Sequence, residues 1–227
     1  GLNPAPKYIV DIHNASNAAA LANFKAGNID LFNNFAPKSA ISGSTKTYFS
    51  KPPYHLGANT TWLFPNTIRK PLNDRQFRRA LAHSINMNQI LDKAYQGLVD
   101  KASPTGLLPI WNKWVDKKAV AKLGFSYNLT RAKAILAAAG YKDSDRDGYV
   151  ENKDGSDISL TIQCPNGWSD WMTAIQVIAE SAKAAGIKVT PGYPDAGTLN
   201  DDRGHARYDL VLANDMQYSN TPWTYYQ

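Results

Sequence analysis

The alternation of apolar and polar positions is sharpest between residues 158 and 189. Ile158, Leu160 and Ile162 alternate with Ser159, Thr161 and Gln163, the period-two pattern of a half-buried strand. Pro165 ends the run because it has no N–H for the ladder, and Asn166-Gly167 favours a turn. The period then changes. Ile175, Ile178, Ala179 and Ala182 recur at helical spacing and give a helix one apolar face. Ser169 or Asp170 is the expected cap of that helix and Gly186 its stop, after which residues 187–189 open a second strand. Strand, loop, helix, strand predicts a parallel pair. The loop at 164–170 then lies at the carboxyl end of the first strand, where open α/β sheets bind ligands.

The same reading predicts strands at 7–12, 29–32, 45–49, 62–66 (buried) and 208–212. Helices are predicted at 17–25 with Gly27 as the stop, from Asp74 through Phe77, Leu81 and Ile85, from Asn88 onward, and at 128–139 between the cap Asn128 and Gly140. The Pro-, Ser- and Gly-rich stretch 36–44 reads as a hinge. Residues 103–114, with Trp111 and Trp114, read as a loop, 143–155 as an acidic turn, and 218–227 as an aromatic loop. The fold class is α/β, a mixed sheet flanked by helices.

Composition narrows the function. A chain of 227 residues with 43% hydrophobic and 19% charged positions builds a real core. The net charge of +6 is spread along the chain without a basic block, which argues against a nucleic-acid partner. No apolar run approaches the ~20 residues of a membrane span. No signal peptide is seen, and Gly1 is not a natural start. Cys164 is the single cysteine, so neither an intrachain disulfide nor a thiolate cluster is possible. The aromatic residues favour rings with a polar handle, Trp 6 and Tyr 12 against Phe 7, which suits a cleft with one wet side.

Two constellations carry candidate chemistry. The first is Asn166, Trp168, Ser169, Asp170 and Trp171. Indole faces stack on the C–H face of a pyranose, while amide, hydroxyl and carboxylate groups bond its hydroxyls; the structural alternative is that both rings pack in the core. The second is Asp143, Asp145 and Asp147, followed by Gly148 at the sixth position and the Tyr149 carbonyl at the seventh. This is the spacing of a calcium loop, although the twelfth position is Asp154 where Glu is usual. It makes structural calcium the only cofactor to consider, against the alternative of a solvated turn. His13, His55, His83 and His205 lack metal-ligand spacing, and the adjacent Asp201 and Asp202 read as solvated. There is no nucleophile elbow and no glycine-rich phosphate loop.

Four segments in order resemble the peptide-, nickel- and oligosaccharide-type solute-binding proteins of ABC importers, family 5. Residues 21–30, with Leu21, Gly27, Ile29 and Asp30, are similar to the family's L-x-x-L-x-x-G-x-I-D. Residues 66–81 resemble N-T-x-x-x-P-F-x-D-x-x-V-R-x-A-L, with Leu72 for Phe and Phe77 for Val. Residues 132–141 with their Asp-rich turn, and 178–189, are the third and fourth. The resemblance implies one lobe of a periplasmic-binding-protein fold of class II type. Residues 1–38 would be the tail of the other lobe and the hinge, and 39–227 the ligand-binding lobe, incomplete at its C-terminus, so that the chain reads as a one-lobe fragment. It also implies a periplasmic or extracellular location, free or lipid-anchored, and an ABC permease as membrane partner.

The stretch 167–171 is similar to that of the cello-oligosaccharide-binding branch. Peptide receptors of the family carry an Asp-Tyr pair where this chain has Gln217-Tyr218. The expected function is therefore non-catalytic capture of an oligosaccharide of the β-glucan or cello-oligosaccharide type. Oligopeptide capture is the alternative within the family, and a glycoside hydrolase the alternative outside it.

Overall fold

In the computed structural model, which describes residues 6–41, 49–51 and 60–214, four short strands form one mixed sheet. They are β1 (Trp62–Pro65), β2 (Leu160–Gln163), β3 (Val189–Gly192) and β4 (Leu210–Ala213), in the spatial order β1-β4-β2-β3. β2 runs parallel to β3 and to β4, and β1 is antiparallel to β4. The parallel pair expected from the 158–189 pattern is β2 and β3, with Leu160 opposite Val189. Along β2, Leu160 and Ile162 are buried while Thr161 and Gln163 are half-buried, as its alternation demands. β4 sits inside the sheet and is buried at every position, which is why its sequence is continuously apolar. β1 is half-buried throughout, not buried as expected. It is an edge strand, where Pro65 costs no interior ladder bond.

Seven helices accompany the sheet among the described residues: α1 (Asn17–Lys25), α2 (Arg75–Ser84), α3 (Met87–Lys93), α4 (Lys117–Leu123), α5 (Leu129–Ala138), α6 (Ser169–Ala184) and α7 (Ala196–Gly204). α6 lays Ala174, Ile175, Ile178 and Ala182 into the main core, which it shares with Leu160, Ile162 and Leu210 of the sheet. Phe77 and Leu81 of α2 and Leu136 of α5 extend that core. The caps follow the sequence. Asp74 accepts from Gln76 N–H at 2.7 Å, and Asn128 from Arg131 N–H at 2.9 Å.

The residues that resemble the family's second motif hold this frame together. Asn66 donates its side-chain amide to the Ala206 and Tyr208 carbonyls at 3.0 and 2.8 Å, and its backbone N–H to Asp209 O at 2.7 Å. Asp209 pairs with Arg69 at 3.0 Å and accepts Thr161 N–H at 3.0 Å. Asp74 receives Lys153 at 2.7 Å and the Tyr141 hydroxyl at 3.1 Å, fastening the acidic turn to α2.

Several expectations fail for identifiable reasons. Residues 7–12 and 29–32 form no strand. Alternation makes a strand only where a neighbour supplies the ladder, and among the described residues none does, so that Ile9 is 92% exposed. The loop at 103–114 contains a 3-10 helix, Pro109–Trp114. α4 was not legible because it buries no residue and has no apolar period. α7 buries only Leu199, and its Asp201 and Asp202 both pair with Arg207 instead of standing free in a loop. His83 is buried with Nδ1 2.8 Å from the Ser126 carbonyl, a structural histidine. The expected strand at 45–49 beyond its last residue, His55, Gln217, Tyr218 and Trp223 lie outside the described residues.

Candidate functional site

The carboxyl ends of the parallel strands β2, β3 and β4 point to one edge of the sheet, and the loop 164–168 leaves β2 at that edge. Cys164 is buried beneath it, its thiol pushed up to about 12 by burial and by the nearby Asp170 charge. The loop is pinned to its neighbour by Asn166 N–H, which donates to Pro194 O at 2.9 Å. It turns at Gly167, whose φ of +83° suits glycine. A Cβ there would stand 2.8 Å from Ser16 Cβ and 2.9 Å from the Ala15 carbonyl, so the segment before α1 passes directly against the loop.

The five residues expected here come together but are not equally open. Asn166 and Ser169 are exposed and Trp168 is half-buried. Trp171 is 6% exposed and belongs to the main core. Tyr95 packs against the same core, and burial together with the Asp170 charge pushes its hydroxyl up to about 12. Asp170 is 8% exposed. The expectation that Ser169 or Asp170 caps α6 is corrected: Trp168 is the N-cap residue and makes no side-chain cap bond. Asp170 instead accepts from Asn17 Nδ2 at 2.9 Å, and burial raises its carboxyl above the ordinary range. Asn17 is a partner that the sequence does not signal. It lies 153 residues away in the chain, and no local pattern announces a contact of that range.

Beside this contact, α1 and α6 enclose a cavity of about 240 Å³ whose lining includes Asn17, Phe35, Lys93 and Asp170. That is below the roughly 300–1,000 Å³ of ordinary ligand pockets.

The acidic turn forms the second candidate. Asp143, Asp145 and Asp147 are joined by Glu151, and their carboxylate oxygens lie within 4.8 Å of one another. Glu151 is buried and accepts Ser144 N–H at 2.8 Å. It stands at the ninth position of the loop, a place that calcium loops use. Asp154, at the twelfth, turns away to Ser156 at 2.6 Å and Lys70 at 3.6 Å. The oxygen-only donor set suits a hard divalent cation.

Residues 3–227 match the family described as bacterial extracellular solute-binding proteins, family 5, middle region. The chain belongs to that family. Among solved structures of the family-5 type, the mannohexaose-bound periplasmic oligopeptide-binding protein of an ABC transporter from Thermotoga maritima superposes with a TM-score of 0.91 at 38% identity, over 98% of this chain and 42% of that one. The oligopeptide-binding protein AppA of Bacillus subtilis is 28% identical over 192 residues, 85% of this chain and 34% of its own length. AppA in complex with a nonapeptide superposes with a TM-score of 0.75 at 21% identity, a likeness of fold. This family-5 chain thus spans about a third of the length of that curated relative. The fold is that of one part of a periplasmic binding protein, as the four sequence segments implied.

Proposed function

We propose that the chain is the oligosaccharide-capturing part of a non-catalytic family-5 receptor for an ABC importer. The observation that carries this reading is the loop at the carboxyl end of β2, which presents the half-buried Trp168 between the exposed Asn166 and Ser169. A half-exposed indole can stack on a pyranose, and an amide and a hydroxyl beside it can satisfy sugar hydroxyls. Trp171 packs edge to face against that ring. The relative at 38% identity holds mannohexaose, whereas the nonapeptide complex stands at 21%. The bound hexaose supports a hexose oligomer as the solute, and the likeness of residues 167–171 to the cello-oligosaccharide-binding branch supports the β-glucan or cello-oligosaccharide type. A hydrolase would need two carboxylates flanking the scissile bond, and Asp170 is committed to Asn17.

The same reading divides the chain near residue 38 into a hinge-side segment and a ligand-binding lobe, and assigns the receptor to the outer face of a membrane, free or lipid-anchored, opposite an ABC permease. It also gives the 143–151 loop a structural calcium ion. Among the described residues none of its four carboxylates makes an ion pair. Thermal-shift measurements across cellohexaose, mannohexaose and a nonapeptide test the solute class. Stabilisation by the hexaoses alone is expected, and stabilisation by the peptide alone would transfer the site to oligopeptides.

A further inference from the structure

We infer that Asn17 is a positioning residue for the ligand-binding loop: it touches no solute, and it fixes the conformation in which Trp168 is presented. The inference rests on the reading of that loop given above, but its geometry is independent of any ligand. One residue of α1 reaches three successive points of the turn into α6. The Asn17 backbone N–H donates to Gly167 O at 3.0 Å. Its side-chain amide donates to Asp170 Oδ1 at 2.9 Å and to Ser169 Oγ at 3.3 Å. These residues bracket Trp168 on both sides.

The loop needs such a support. The N-cap position of α6 makes no side-chain cap bond, and Gly167 holds a left-handed conformation that its neighbours 15 and 16 close against. α1, for its part, buries only Asn17 and Ala20, so its docked end is the one that carries this contact. Leu21 and Phe24 of α1 are only half-buried, so the bonds of its first residue add to a thin apolar contact. Asn17 is itself 8% exposed, and its partner Asp170 is equally buried. The bond is thus shielded from competing water, which is where a single hydrogen bond matters most. Because α1 precedes the 36–41 connection and the loop follows β2, the contact also joins the two stretches that the division near residue 38 separates.

The test uses the full chain, with Asn17→Ala and with the exchanged pair Asn17→Asp/Asp170→Asn, which keeps an amide facing a carboxylate. Two quantities are read: hydrogen exchange at the amides of residues 168–171, and the response of the Trp168 indole resonance to cellohexaose and mannohexaose. Asn17→Ala is expected to speed exchange at 168–171 about 10-fold, leave the core amides of β4 unchanged, and weaken the hexaose response about 10-fold. The exchanged pair is expected to restore both. Unaltered loop exchange in Asn17→Ala overturns the inference, and so does a uniform acceleration through the whole chain that the exchanged pair does not reverse. If loop exchange behaves as expected while neither hexaose moves any resonance in the unsubstituted chain, the positioning stands and the solute reading fails.

Discussion

Trp168 and Trp171 meet edge to face, their ring centroids 4.8 Å apart and their planes at 63°. One turn of helix thus couples a half-open indole to a buried one, and the two should respond differently to truncation. Trp168→Ala is expected to cost on the order of 1–3 kcal/mol of hexaose binding, by analogy with aromatic anchors elsewhere, with a smaller loss of stability. Trp171→Ala empties core volume and is expected to cost ~3–5 kcal/mol of stability. Denaturant titration and solute titration of both variants separate the effects. Equal loss of stability with no change in binding would remove Trp168 from the site.

Two carboxylates should move stability with pH in opposite senses. The Lys153 ammonium, with the Gln76 N–H and the Tyr141 hydroxyl, holds Asp74 below its ordinary value of 3.8. The unfolded chain therefore takes up that proton first, so Asp74 stabilises the fold above the ordinary value, and the contribution is lost as pH falls through the folded one. Asp74→Ala should cost about 1 kcal/mol at pH 7, chiefly as a lost cap, and less in acid.

Burial raises Asp170, and the folded form therefore holds its proton more tightly than the unfolded one. The charged carboxylate is a cost above the folded value, a cost that fades as pH falls to the ordinary carboxylate value. Asp170→Asn keeps an oxygen for Asn17 and should raise Tm at pH 7 by about 2–4 °C for each kcal/mol relieved. A lowered Tm at pH 7 would contradict this assignment.

The acidic loop predicts a response to calcium. At calcium about 100-fold above its Kd, the expected stabilisation is about 2.7 kcal/mol. Asp145→Asn should abolish it, whereas Asp154→Asn should not, because Asp154 faces Lys70 and Ser156. A chelator that leaves Tm unchanged would take calcium out of the account.

What could be read in advance was what local pattern encodes. The unit from β2 through α6 to β3 was legible because two periodicities meet at a Pro-Asn-Gly turn, and α5 because Asn128 and Gly140 mark both its ends. α4 and α7 bury almost nothing and leave no apolar stripe to find. The apolar residues 7–12 mimic a strand although they lack a neighbour among the described residues. At the site, residue types identified the loop, but openness is a tertiary property. Nothing at 168–171 distinguishes the ring buried in the core from the ring left half-buried, and nothing near residue 17 announces Asp170.

The central claim is that Trp168 faces a hexose oligomer. Its most direct test is the indole N–H resonance of Trp168, assigned by loss of its signal in Trp168→Phe and followed as cellohexaose, mannohexaose or a nonapeptide is added to the chain. A saturable shift with a hexaose, absent with the peptide, is the expected result. A resonance that the nonapeptide moves and both hexaoses leave in place would contradict the account.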